Sequence, residues 1–174
     1  SQSLNDNARE RIALSSSLQS AIKKNQLSLY YQPIVIGGTQ IVSGAEALIR
    51  WQKPDGSWVN PEQIIELAEQ LNLIHELGFW IIESALKVLG SIRQQGRPNF
   101  KMAINLSPKQ IGQEEFSQQV SRLIDQYHCP PDALEFELIE KEMMEDLEIS
   151  LENLKKLREL GIGISIDDFG TGHS

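Results

Sequence analysis

The order of periodicities along the chain restricts its fold more than any other feature. After a first helix and a hairpin, strand-like runs alternate with helical stripes to the end of the sequence. A two-residue period marks a half-buried strand, and apolar residues three and four apart mark one face of a helix. LYYQPIVI and IVSGAEALIRW read as the first two strands, and the few residues between them, around Gly37-Gly38, predict an antiparallel hairpin. FKMAINLS, LEFELIE and GIGISIDDF read as the third, fourth and fifth strands. Helices fill the intervals. Asn60-Pro61 supplies a cap followed by proline at the first helical position, with Ile64, Ile65, Ala68 and Leu71 as the expected buried face. Residues 74–95 predict a second, largely apolar helix, and Ser107-Pro108 opens another capped stretch. Phe116, Val120, Leu123, Ile124 and Tyr127 form a further stripe, and Leu147, Leu151, Leu154 and Leu157 stripe the last helix. Strands joined through helices run parallel, so the hairpin leads into a parallel sheet, either open or part of a barrel.

Ahead of the hairpin, Leu14, Leu18, Ala21 and Ile22 share one helical face. Residues 1–7, SQSLNDN, are small, polar and without period, and are expected to be a disordered linker or an expression remnant, leaving 8–174 as the domain. A chain of 174 residues with 40% hydrophobic content can bury the core of one domain. Its 24 acidic and 16 basic residues give a net charge of −8, which disfavours non-specific binding to nucleic acid or anionic membrane. Cys129 is the only cysteine, so no internal disulfide can form. With no apolar run of membrane-spanning length and no signal pattern, a cytoplasmic location is expected. His75, His128 and His173 are scattered singly, against a histidine-rich zinc site.

Alternation also sorts the polar residues. Gly44, Glu46, Leu48 and Arg50 share one face of the second strand, and Ala103 and Asn105 share one of the third. Glu135 and Glu137 oppose Phe136 and Leu138, while Gly163, Ser165 and Asp167 oppose Ile162, Ile164 and Ile166. The strands thus carry an apolar face for the helices and a face of small or acidic residues. The acids fall late in their strands, where α/β folds place their sites. Several carboxylates and an amide brought together at low dielectric repel unless protonated, hydrogen-bonded or bound to cations. A set of Asp, Glu and Asn oxygens suits a hard ion such as Mg²⁺ or Mn²⁺. Each residue also has an ordinary explanation: Glu46 as a surface residue, Asn105 as part of a cap, Asp167-Asp168 as a turn start served by Gly170 and Gly172, and Arg50 as a partner stacked on Trp51. Taken together, those explanations require independent coincidences on one face and at one strand end.

GAEALIRW carries Glu-Ala-Leu at positions 46–48, and YQPI, AINLS, ELIE and DDFGTG accompany it in order. With these motifs, from about residue 8 to the end, the chain resembles the EAL family of cyclic di-GMP phosphodiesterases. The resemblance implies a TIM-like (β/α)₈ barrel whose first strand is antiparallel to its neighbours. It implies cleavage of one phosphodiester bond of cyclic di-GMP to give linear pGpG. Glu46, Asn105, Glu137 and Asp167 are implied ligands of a first Mg²⁺ or Mn²⁺ ion, and Asp168 of a second. Arg50 is implied to hold substrate phosphate, with Gln32 and Leu48 lining the dinucleotide site. On this reading Glu46, Asp167 and Asp168 are the catalytic set. A homodimer, and sensor or cyclase domains in a longer parent chain, are the implied partners.

Such a barrel takes about 250 residues, whereas the five strands here fall within 174. The family's last three strands, with a water-activating lysine, a further metal-binding glutamate and a glutamine motif, are not in the sequence. The chain is therefore expected to be a longer protein truncated after the fifth strand. Two positions depart from the family pattern: Ile139 stands where threonine is usual, and His173 where tyrosine is usual. The first removes a hydroxyl near the metal set, and the second lies in a loop that couples the site to dimer contacts in the family. The alternatives are a module that binds cyclic di-GMP without cleaving it, a partner-interaction domain with no nucleotide role, and a sugar hydrolase with paired carboxylates.

Overall fold

The computed structural model describes residues 2–139 and 146–167, with only the backbone at Asp167. The chain divides into two units, Ser1–Ser28 with Ile49–Trp80, and Leu29–Leu48 with Ile81–Ser174. One five-stranded sheet runs in the order β1 (Leu27–Val35), β2 (Val42–Trp51), β3 (Lys101–Leu106), β4 (Leu134–Ile139), β5 (Gly163–Asp167). The last four strands are parallel. Between β1 and β2 the Ile36 amide donates to the Ile41 carbonyl at 3.0 Å, and Gly38 takes φ 73° inside that turn. A connection so short joins only antiparallel neighbours, as the hairpin reading requires.

In the first unit, α1 (Gln2–Lys23) buries Leu14, Leu18, Ala21 and Ile22, the face read from the sequence. Its start differs from expectation, because residues 2–7 are helical rather than structureless. They are all exposed, and no burial explains their order. The anchored downstream half supplies the nucleus, after which each added residue gains a backbone hydrogen bond at little cost. α2 (Pro61–Gln70) begins where the cap chemistry placed it. Asn60 has extended φ/ψ of −61° and 129°, and its side-chain oxygen accepts from the Glu62 amide at 2.9 Å. Its buried face is Ile64, Leu67 and Ala68. Leu71, expected on that face, is the residue that ends the helix and turns outward.

In the second unit, α4 (Pro108–Ile111), α5 (Phe116–Gln126) and α6 (Leu147–Leu160) connect the parallel strands, and Ile81–Gln94 of α3 (Ile74–Gln94) contributes Ile82, Ala85, Leu86 and Leu89 to the core. Phe116 and Phe136 are fully buried, with ring centroids 6.3 Å apart and planes tilted by 50°, a favourable aromatic geometry. α6 closes in a Schellman motif: Gly161, at φ 102°, donates to the Arg158 carbonyl at 3.0 Å, and Ile162 donates to the Leu157 carbonyl at 3.1 Å.

Helix α6 corrects the leucine stripe. Ser150, Asn153 and Leu157 are its buried residues, whereas Leu147 is 60% and Leu151 55% exposed. On that face Asn153 donates to the Ile111 and Gln113 carbonyls, a role no leucine could fill. Ile166 also departs from the apolar-face reading, being 66% exposed. Among the described residues, no helix is long and apolar enough to cross a membrane.

Candidate functional site

Parallel pairing sets the polar face of the sheet in fixed steps. Glu46 on β2 is opposite Ala103 on β3, and Asn105 follows two residues later on the same face. Asn105 is opposite Glu137 on β4, and Glu137 is opposite Ser165 on β5. Asp167, two residues beyond Ser165, is opposite Ile139. Glu46, Asn105 and Glu137 therefore share one face of neighbouring strands. Glu46 is at the middle of β2 and the other two lie towards the carboxyl ends of β3 and β4, with the Asp167 backbone a further step along on β5. They rise by two residues at some strand boundaries and by none at others, which is the stagger of a tilted, barrel-forming sheet.

Side chains bring two of them into contact across 59 residues of sequence. The Asn105 Nδ2 donates to Glu46 Oε1 at 3.0 Å, and both groups are half-buried. That bond fixes which end of the amide faces the carboxylate and leaves the Asn105 carbonyl oxygen as the atom able to ligate a cation. Glu137 is 6% exposed, a depth at which a carboxylate requires polar or cationic partners. Glu46, Asn105 and Glu137 offer oxygen donors only, which fits a hard divalent cation and not a thiolate- or imidazole-seeking metal. Among the described residues, no three His, Cys, Asp or Glu side chains are grouped closely enough to hold a metal. Asp168 lies outside the described residues, as does His173.

The predicted substrate contacts are placed as follows. Gln32 is exposed on β1 and Leu48 is half-buried on β2. Arg50, also half-buried on β2, donates from a guanidinium nitrogen to the Ile49 carbonyl at 2.8 Å. Ile139 is exposed beside the backbone of Asp167 in the β4–β5 ladder.

The turn after Asn105 is built with unusual completeness. Ser107 caps α4 in a capping box: its hydroxyl accepts from Lys109 at 3.3 Å, while the Gln110 side chain accepts from the Ser107 amide at 3.0 Å. The cap was readable from Ser107-Pro108. The partner beneath α4, Asn153, was not, because the stripe reading placed leucines on the inner face of α6. An asparagine inside a helix, where its propensity is poor, was the available signal.

The EAL domain family profile matches residues 15–174. The bifunctional diguanylate cyclase/cyclic di-GMP phosphodiesterase MucR of Pseudomonas aeruginosa is 36% identical over 172 residues, covering 99% of this chain and 25% of MucR. The oxygen sensor protein DosP of Escherichia coli is 37% identical over 175 residues, covering 100% of this chain and 22% of DosP. The chain thus spans about a quarter of the length of these curated relatives. Among solved structures, the EAL enzyme Bd1971 in its cAMP- and cyclic-di-GMP-bound form aligns with a TM-score of 0.84 at 34% identity, covering 97% of this chain and 46% of that one. The MucR phosphodiesterase in complex with c-di-GMP aligns with a TM-score of 0.83 at 34% identity, covering 93% of this chain and 66% of that one. The mixed five-stranded sheet, antiparallel only at its first strand, is the corresponding part of a TIM-like barrel. By its motifs, its strand order and these similarities, the chain belongs to the EAL domain family.

Proposed function

We propose that this domain hydrolyses cyclic di-GMP to linear pGpG in second-messenger signalling, using Mg²⁺ or Mn²⁺. The observation that carries the reading is the Asn105–Glu46 hydrogen bond, with Glu137 opposite Asn105 on the next strand. It joins two members of an all-oxygen donor set on parallel strands, with Asn105 and Glu137 towards the carboxyl ends, where this architecture keeps its chemistry. The named activity of MucR and the cyclic-di-GMP-bound relatives support the substrate.

Glu46, Asn105, Glu137 and Asp167 would hold one cation, and Asp168 would help to hold a second. Bound there, the ions supply Lewis acidity that lowers the pKa of an attacking water and offsets charge on the phosphoryl oxygens. The protein's own contribution is to keep the donors in place before substrate arrives. Asn105 holds the Glu46 carboxylate through Nδ2, so that this side chain loses little rotamer freedom on ligating. Arg50 would hold a non-bridging phosphate pair with its planar fork, which lysine could not reproduce. Gln32 and Leu48 would line the dinucleotide site. Sensor or cyclase domains in a longer parent chain fit the quarter-length match to the relatives, and the proposed assembly is a cytoplasmic homodimer.

The test is cleavage by the full-length protein, followed by separating cyclic di-GMP from pGpG with and without Mg²⁺ or Mn²⁺. Glu46→Ala should lower kcat by at least about 100-fold, as expected when a ligand and the hydrogen bond that orients Asn105 are lost together. Undiminished turnover in that variant would remove the metal assignment, and binding without turnover in the wild type would make the domain a receptor.

A further inference from the structure

We infer that Asn153 is a positioning residue for the oxygen-donor site, acting through α4 and the end of β3. The inference rests on the proposed function. α4 has four residues, and a single turn does not persist without support at its ends. Its front is held by the Ser107–Gln110 capping box. Its back is held by one side chain from a different helix: Asn153 Nδ2 donates to the Ile111 carbonyl at 2.7 Å and to the Gln113 carbonyl at 2.8 Å. The Asn153 oxygen in turn accepts from the Ser117 amide, at 3.3 Å, at the start of α5. Asn153 is 4% exposed, and its bonds to Ile111 and Ser117 are buried, so losing it would leave the buried Ile111 carbonyl unsatisfied.

These contacts lead back to the site in short steps. Asn153 fixes the last carbonyl of α4 and that of Gln113 just beyond it, and Gln110, itself buried on α4, fixes the Ser107 amide. Ser107 lies two residues after Asn105, whose amide holds Glu46. Asn153 also stands on α6, which follows β4 and its Glu137. It therefore ties the connection after β3 to α6, the helix that packs against it. Alanine at this position would leave the strands paired but allow the α4 turn to shift, which changes the aim of Asn105.

The test uses the full-length protein with Asn153→Ala and with Gln110→Ala, which breaks the same relay nearer the site. Leu157→Ala, one turn further along α6, serves as a stability control. Mn²⁺ binding is measured by titration calorimetry without nucleotide, amide exchange is followed over residues 105–113, and cleavage is measured against Mn²⁺ concentration. Asn153→Ala and Gln110→Ala should each weaken Mn²⁺ binding by about 10-fold, the smallest loss usual for a residue that orients a ligand, and should speed exchange at 105–113. Leu157→Ala should stay within about twofold of wild-type affinity when measured well below its melting transition. Unchanged Mn²⁺ affinity in either relay variant, or an equal loss in Leu157→Ala, overturns the inference and leaves the proposed function standing. A wild-type protein that neither binds Mn²⁺ nor cleaves cyclic di-GMP overturns both.

Discussion

Gly44 is the position at which one added methyl group most directly disturbs both the fold and the candidate site. It lies on β2 opposite Lys101 of β3, and a Cβ built there would sit 2.5 Å from the Lys101 carbonyl oxygen and 3.2 Å from its carbon. The closer contact is about 1 Å inside the ~3.5 Å optimum for such atoms. Neither partner is the tip of a flexible side chain. β2 and β3 are locked in register from Gly44 opposite Lys101 to Ala47 opposite Ile104, so relief means separating paired backbone. Overpacking of this kind costs about 1–3 kcal/mol. Removing glycine's freedom from the unfolded chain returns about 0.4–1 kcal/mol. Gly44→Ala should therefore lose about 1–2 kcal/mol net, read as a lower urea midpoint at unchanged slope. Gly112→Ala is the control, because its Cβ would meet nothing closer than 3.6 Å and its φ of −74° suits alanine. Glu46 lies two residues beyond Gly44, so a displaced strand should also lengthen its 3.0 Å bond to Asn105 and weaken Mn²⁺ binding. Stability of Gly44→Ala within about 0.5 kcal/mol of wild type, or an equal loss in Gly112→Ala, would refute the close-approach reasoning.

Two further outcomes test other links. Asn60→Ala removes the side-chain acceptor for the Glu62 amide at the start of α2 and should cost about 1 kcal/mol, whereas Asn60→Asp should retain most of the stability in a denaturant titration. Burial pushes the Cys129 thiol above its ordinary value of 9.0, so the native state keeps that proton longer than the unfolded chain does. The stabilising contribution is therefore whole below pH 9.0 and is lost as pH rises through the higher folded value, so stability measured from pH 8 upward should fall less steeply in Cys129→Ala than in wild type.

What the sequence made legible follows from what a period can encode. Alternation assigned Glu46, Asn105, Glu137 and Asp167 to one face because strand geometry leaves only two choices. Alternation cannot give height, since the two-residue steps from Glu46 to Asn105 and from Glu137 to Asp167 depend on register between strands. Caps were readable where the chemistry is local, as at Asn60-Pro61 and Ser107-Pro108. The inner face of α6 was misread because Leu147 and Leu151 fit a helical stripe as well as Ser150 and Asn153 do, and only the carbonyls of Ile111 and Gln113 decide between them. Gly44 shows the same limit from the other side. Its φ is not in the left-handed region, so no turn demands glycine there, and the constraint is a carbonyl on another strand. Residues whose role is set by their own neighbours in sequence are thus legible, and those set by what lies across from them are not. For that reason Gly44 and Asn153, neither of which can ligate a metal at this site, are the substitutions that separate a correctly built scaffold from a correctly guessed ligand set.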